Sequence, residues 1–373
     1  MSSVAASIIP RVHEAHVPPS IADSVAAIAR TELAPMVASI DSGELYPETV
    51  LRSLGAAGAW ASHLPRDGAA DLRCAIQSIA ALGEICGATA FMAWCQNTLS
   101  WYVANSANPR LVARFVDAVS SGATLGGTGL SNPMKSFFGI EKLKLKGRKV
   151  EGGFVVRGAL PWVSNLGPDH LFGTIFERED APGEIGMFLA DCADPAITLR
   201  PCKPFLAMDG TGTYSIQFRD AFVPDDLILA EQAKPFVKRI RAGFILLQTG
   251  MGLGLIRDCV AIMQGVAEPL GHVNRFLNQQ PTDFQALLDE LETEAMALAR
   301  DPFNAEESYW RKVVALRLRI GEASVAAAHA AMLHCGARGY LKSHRAQRRL
   351  REAYFVAIVT PATKQLRKML AEH

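Results

Sequence analysis

A surplus of charge of one sign is the first thing this chain lacks: 38 lysines and arginines stand against 37 aspartates and glutamates in 373 residues. Binding nucleic acid through its phosphates needs a basic excess, so nucleic acid is excluded as the main partner. No run of eighteen or more apolar residues occurs, so no membrane-spanning helix is expected. Between Met1 and Pro19 no basic head leads into an apolar stretch long enough for a leader peptide. The 7 cysteines, an odd number, include no Cys-x-x-Cys pair, so buried free thiols are expected rather than a disulfide framework or a metal site. A Rossmann dinucleotide site is unsupported, since no Gly-x-Gly-x-x-Gly lies between a strand and a helix; Gly250, Gly252 and Gly254 imitate that spelling inside a helical pattern. These absences point to a cytoplasmic globular protein. Its 49% hydrophobic content suffices for a large core divided into two or three structural units.

What is present comes in three textures. Residues 1–123 read as helices. Ser20 and Asp23 form a capping pair ahead of Ile21, Val25 and Ile28, and Pro35 is expected to bend or end that helix. Asp71 to Thr98 is apolar nearly all round, the mark of a helix buried on several sides, and Asn108-Pro109 starts another that Gly122 ends. Residues 124–230 turn to short alternating runs and glycines. Leu143 and Leu145 alternate with lysines, Glu151-Gly152-Gly153 makes a turn, and Phe154-Val155-Val156 runs on, so Gly129–Asn165 reads as antiparallel strands. Leu171–Phe176, Met187–Ala190 and Tyr214–Phe218 are further strands. Residues 231–373 are helical again. Three glycines inside the Ile245–Val266 pattern suggest close backbone packing, Val313–Cys335 carries an alanine-rich stripe, and Pro361 should kink or split the last helix. The expected fold class is α+β, mostly α: an N-terminal helical domain, a middle β-barrel-like domain and a C-terminal four-helix bundle.

That order, with four local spellings, resembles the acyl-CoA dehydrogenase superfamily over nearly the whole chain. Leu130-Ser131-Asn132-Pro133 is similar to the family's Leu-Thr-Glu-Pro, and Trp162-Val163-Ser164-Asn165 to its Trp-Ile-Thr-Asn. Phe218-Arg219-Asp220-Ala221-Phe222-Val223-Pro224 resembles the run that ends the family's β domain. Gly336-Ala337-Arg338-Gly339-Tyr340 resembles its Gly-Gly-x-Gly-Tyr turn, alanine replacing the second glycine. The resemblance implies FAD held between the β domain and the bundle. Trp162 and Val163 would lie against the flavin, the Ser164 hydroxyl would donate to its reactive ring nitrogen, and Leu130 and Ser131 would contact its pyrimidine edge and ribityl chain through their backbones. Read from the residues alone, Trp162 is as well a core aromatic and Ser164 a strand-end hydroxyl. Arg275 and Phe276, with Gln285 downstream, stand near the place of a motif that reaches the diphosphate of a neighbouring subunit; the alternative for Arg275 is a solvated surface residue. Gly336 and Ala337 keep the turn near the adenine. A cofactor site shared in this way implies a homodimer or homotetramer.

Two departures bear on the chemistry. The family's α-proton is taken by a glutamate, and ungapped from Arg351-Glu352-Ala353 its place is held by Thr360, which cannot act as a base near neutral pH. The family's small-residue loop near the CoA phosphates is replaced by Met134-Lys135-Ser136-Phe137-Phe138-Gly139. There only Ser136 and Lys135 remain as phosphate contacts, while the two phenylalanines either wall a pocket or pack into the core. Three functions remain open. One is a dehydrogenase passing hydride from an acyl thioester to FAD, with an electron-transfer flavoprotein as acceptor. Another is a monooxygenase using FMN, or reduced flavin supplied by a partner reductase, with His334 and His344 the nearest histidines. The third is a catalytically silent flavoprotein that serves as a binding subunit.

Overall fold

The computed structural model describes residues 19–372, so the leader-peptide reading of the N-terminus lies, up to residue 18, outside the described residues. Helix α1 (Ile21–Ile28) opens as its cap demands: the Ser20 hydroxyl accepts from the Asp23 amide at 3.2 Å, and the Asp23 carboxylate accepts from the Ser20 amide. Pro35 does not end the helical path. A π turn and a 3-10 turn, Ala34–Met36, carry the chain into α2 (Val37–Asp41), because the missing proline N–H falls in the first turn of a new segment. After α3 (Glu48–Ala56), the long apolar pattern forms two helices, α4 (Arg73–Ile85) and α5 (Gly87–Asn105), separated by an extended Cys86. The break has a distant cause: the Glu352 carboxylate accepts from the Gly87 amide at 3.1 Å and caps α5. Helix α6 (Pro109–Ser121) is capped by Asn108 and ends at Gly122 in the left-handed region.

The sheet follows. Strand β1 (Gly126–Thr128) leads into α7 (Ser131–Phe137), a helix inside the stretch that alternation assigns to strands; Pro133 sits in its first turn, where its lost N–H costs nothing. Then come β2 (Leu145–Val150), β3 (Gly153–Val163), β4 (Leu171–Arg178), β5 (Ile185–Asp191), β6 (Ile197–Pro201), β7 (Tyr214–Pro224) and β8 (Ile228–Ala230). Their order is β6-β7-β3-β2-β4-β5-β8, with β1 parallel to β4 and most other pairs antiparallel. Although β5 and β7 are far apart along that order, Phe188 of β5 meets Phe218 of β7 at 5.9 Å between ring centres. The sheet therefore curls round its own core of Phe172, Phe176, Phe188 and Phe218, which is the barrel-like form expected.

Helices α8 (Ala233–Gly265), α9 (Ala267–Asn274), α10 (Pro281–Leu298), α11 (Glu307–Cys335), α12 (Arg345–Ile358) and α13 (Thr363–Glu372) complete the chain. Pro361 lies between the last two, so the final pattern splits in two as expected. Among the described residues α8 is the one helix long and apolar enough to cross a membrane, and 89% of that window is buried inside the fold. It packs against α4, α10 and α11. A Cβ on Gly254 would stand 2.1 Å from the Ala80 carbonyl oxygen, so glycine permits the α4–α8 approach. At the same junction the buried Glu352 carboxylate takes Arg349 Nη1 at 2.7 Å and Arg348 Nη1 at 3.1 Å, and Arg349 Nε reaches Asp258 at 2.6 Å. Burial alone would push the Glu352 carboxyl up, but the two guanidiniums outweigh it and hold it below its usual range. All 7 cysteines are free, and no cluster of metal-ligating side chains occurs among the described residues.

Candidate functional site

Strand β3 alternates to its end, so Val163 points into the β core, 1% exposed, while Trp162 points outward, 56% exposed. The chain then turns at Asn165, which holds φ +63°. Asparagine tolerates that region, and here the side chain is pinned: its Nδ2 donates to the Gly126 carbonyl at 2.6 Å and its Oδ1 accepts from the Tyr46 hydroxyl at 2.8 Å. Ser164 is thereby fixed beside Trp162. Gly127 lets the strands close in, since a Cβ there would lie 2.3 Å from the Ser164 carbonyl oxygen.

Trp162 and Ser164 open onto a cavity of about 870 Å³. Ser131, at the start of α7, and Thr360, between α12 and α13, line the same space, and their hydroxyls meet at 2.9 Å. Four sequence-predicted residues from three separate places in the chain thus share one cavity. Phe91, Trp94, Phe244 and Phe355 supply much of its apolar wall. Its charged lining is of one sign: Lys135, Arg351, Lys364 and Arg367, with no aspartate, glutamate or histidine. The Cys95 thiol also lines it, and burial pushes that thiol well up, so it stays protonated.

Behind Thr360 stands a buried polar chain. Gln248 of α8 donates to the Thr360 carbonyl at 2.9 Å and accepts from Arg317 Nε at 2.8 Å; Arg317 Nη2 also donates to the Val356 carbonyl at 2.6 Å. Arg317 is 1% exposed and has no ion-pair partner among the described residues; burial lowers its pKa to about 10, which leaves it charged near neutral pH. On the Trp162 side lies a row of hydroxyls. Ser164 Oγ and Thr213 Oγ1 are 2.7 Å apart, Thr213 Oγ1 and Thr211 Oγ1 are 2.8 Å apart, and Thr211 Oγ1 donates to the Met208 carbonyl at 2.7 Å. Thr211, Thr213, Gln248 and Arg317 have no local spelling that marks them; they reach the site by strand and helix packing.

The other predicted residues lie elsewhere. The Leu130 side chain is buried in the helical core while its backbone leads directly into Ser131 on the cavity, and Ser136 sits on α7 outside the cavity lining; Phe137 and Phe138 pack against the core rather than walling the pocket. Arg275 and Phe276 are exposed on the turn after α9, with the guanidinium 4.9 Å from the Phe276 ring centre. Asn274 donates to the His334 carbonyl at 3.0 Å, which brings that turn to the C-terminal end of α11, where Gly336 and Ala337 are exposed. A second hollow of about 320 Å³ lies there, lined by Phe276, Asn278, His329, Leu333 and His334. Gln285 stays on α10 and donates to Asp289 at 2.8 Å. His334 is a buried residue bonded to the Gln279 carbonyl, and His344 caps α12; neither lines the large cavity.

The family described as acyl-CoA dehydrogenase, N-terminal domain, matches residues 19–123. The mitochondrial isovaleryl-CoA dehydrogenase of Oryza sativa subsp. japonica is 23% identical over 70% of this chain and 66% of its own length. The benzylmalonyl-CoA dehydrogenase of Aromatoleum aromaticum is 22% identical over 95% of this chain and 96% of its own. The solved butyryl-CoA dehydrogenase from Megasphaera elsdenii superposes with a TM-score of 0.81 at 15% identity, covering 96% of this chain and 98% of that one.

Proposed function

Because the chain belongs to the acyl-CoA dehydrogenase superfamily, we propose that it is an FAD-dependent oxidoreductase that oxidises an acyl thioester or a related acyl substrate in the Thr360 cavity. One observation carries the reading: Trp162, Ser164, Ser131 and Thr360 converge on a single cavity large enough for a flavin ring and a substrate. The residues present fit the cofactor. Trp162 offers a free aromatic face, hydroxyls stand beside it, and no carboxylate lines the space to oppose a diphosphate. When bound, the flavin supplies a two-electron acceptor. The Ser131 and Thr360 hydroxyls hold two protons and spend one between themselves, which leaves one O–H to orient a substrate oxygen. Lys364, exposed at the lining and without an ion-pair partner among the described residues, favours an anionic carrier such as the phosphates of a thioester cofactor, whereas Arg367 beside it is paired with Glu322.

With no carboxylate on the lining, no side chain of this cavity is assigned to take an α-proton. That same feature favours a second reading, a flavin-dependent monooxygenase, whose chemistry needs no such base. At the end of α11, exposed Arg275, Phe276 and Tyr340 support a homodimer or homotetramer in which a second copy contributes to the cofactor site. The test is anaerobic mixing of the flavin-loaded protein with a panel of acyl-CoAs. Bleaching of the flavin absorbance supports the dehydrogenase. Substrate-dependent oxygen uptake with NADH and a flavin reductase, without bleaching, supports the monooxygenase. Silence in both assays leaves a binding subunit and refutes the oxidoreductase.

A further inference from the structure

The hydroxyl row beside Trp162 has a direction, fixed by counting protons. A carbonyl oxygen only accepts, so the Thr211 proton is committed to the Met208 carbonyl 2.7 Å away. The contact at 2.8 Å between Thr211 and Thr213 must then use the Thr213 proton. With that proton spent, the contact at 2.7 Å between Thr213 and Ser164 uses the proton of Ser164. Ser164 therefore points its O–H along the row and turns lone pairs toward the cavity. The resemblance assigns the opposite role to this hydroxyl, donation to a ring nitrogen of the flavin. Thr211 is 0% exposed, so water does not offer it another partner. Reversing the row abandons the bond to Met208.

We propose that Thr211 and Thr213 are positioning residues that set Ser164 as an acceptor, so that the site prefers the reduced flavin, whose corresponding ring nitrogen carries a hydrogen. This rests on the placement of flavin proposed above, and it makes the site selective for one redox form of its cofactor. Reversal costs the Thr211–Met208 bond, and a single hydrogen bond contributes on the order of tenfold to an equilibrium. The preference for reduced over oxidised flavin therefore falls about tenfold when the row is cut, which for a two-electron couple is about 30 mV.

The test is the midpoint potential of the bound flavin, measured by photoreduction against a reference dye, in the flavin-loaded wild type and in T211V, T213V and T211S. Valine at either position frees Ser164 to donate into the cavity, and the potential falls by about 30 mV. T211S keeps the hydroxyl and retains the wild-type potential. A flavoprotein whose potential does not move in T211V and T213V, or moves equally in T211S, overturns the relay and leaves the proposed function standing. A protein that takes up neither oxidised nor reduced flavin overturns both. Separate titrations with oxidised and reduced flavin check the same ratio without turnover: in T213V the two affinities draw together.

Discussion

Trp162 and Val163 are chain neighbours on opposite faces of β3, and replacing each with alanine separates a ligand surface from a core. Val163 is 1% exposed, and losing two methyl groups in a packed core costs about 2 kcal/mol. Trp162 is 56% exposed. A tryptophan of roughly 250 Å² then keeps about 140 Å² open, and its covered part contributes to folding about as much as Val163 does. Melts of the flavin-free protein will not tell the two variants apart. Flavin affinity will. A ring stacked on one face covers about half of the open area, some 70 Å², which at about 25 cal/mol per Å² is nearly 2 kcal/mol, or roughly 20-fold in affinity. Fluorescence titration of the refolded apoproteins should find W162A weakened by that factor and V163A unchanged. If W162A binds as tightly as the wild type, Trp162 is not the flavin's platform. If both variants lose equally, the effect passes through the fold.

Three further outcomes follow from the same geometry. T360E places a carboxylate where the ungapped count from Arg351-Glu352-Ala353 puts the base; stopped-flow bleaching by an acyl-CoA should rise at least about 100-fold, and no gain in a flavin-loaded variant would remove Thr360 from the reacting atoms. In G254A the new Cβ meets the Ala80 carbonyl oxygen at 2.1 Å, where backbone cannot swing aside, so urea unfolding should register a loss of about 2–3 kcal/mol despite a helix-propensity gain near 1 kcal/mol; an unchanged midpoint would mean a looser α4–α8 contact. Burial lowers the His63 pKa to about 4, outweighing its bond to the Asn97 carbonyl. The folded value lies below the unfolded one, so this stability is complete above about pH 6.5 and is lost as pH falls toward 4, by about 3 kcal/mol in all. H63Q should flatten that part of the stability–pH curve, and an unaltered slope would exclude His63 as its source.

Where the structure follows the sequence, the signal is local. Ser20 and Asp23 cap α1, Asn108 and Gly122 bound α6, Pro361 divides the last helical pattern, and a glycine inside α8 meets a neighbouring backbone. Where it departs, the cause lies far along the chain. The break at Cys86 answers to Glu352, and α7 forms because Leu130 and Met134 join the helical core while Asn132 binds the Lys142 carbonyl and the Lys144 amide. The site divides in the same way. Trp162, Ser164 and Ser131 stand in recognisable spellings, and Thr360 follows from an ungapped count along the chain from Arg351-Glu352-Ala353. Thr211 and Thr213 reach Ser164 only across the sheet, and Arg317 reaches Thr360 only through Gln248, so their roles needed coordinates.

The most direct trial of this account is a crystal structure of the flavin-loaded protein, read for the position of the isoalloxazine ring. The prediction is a ring packed on Trp162, its reactive nitrogen within about 3.2 Å of Ser164 Oγ and its free face toward Thr360. A ring bound elsewhere, with Trp162 and Ser164 left facing solvent, would contradict it.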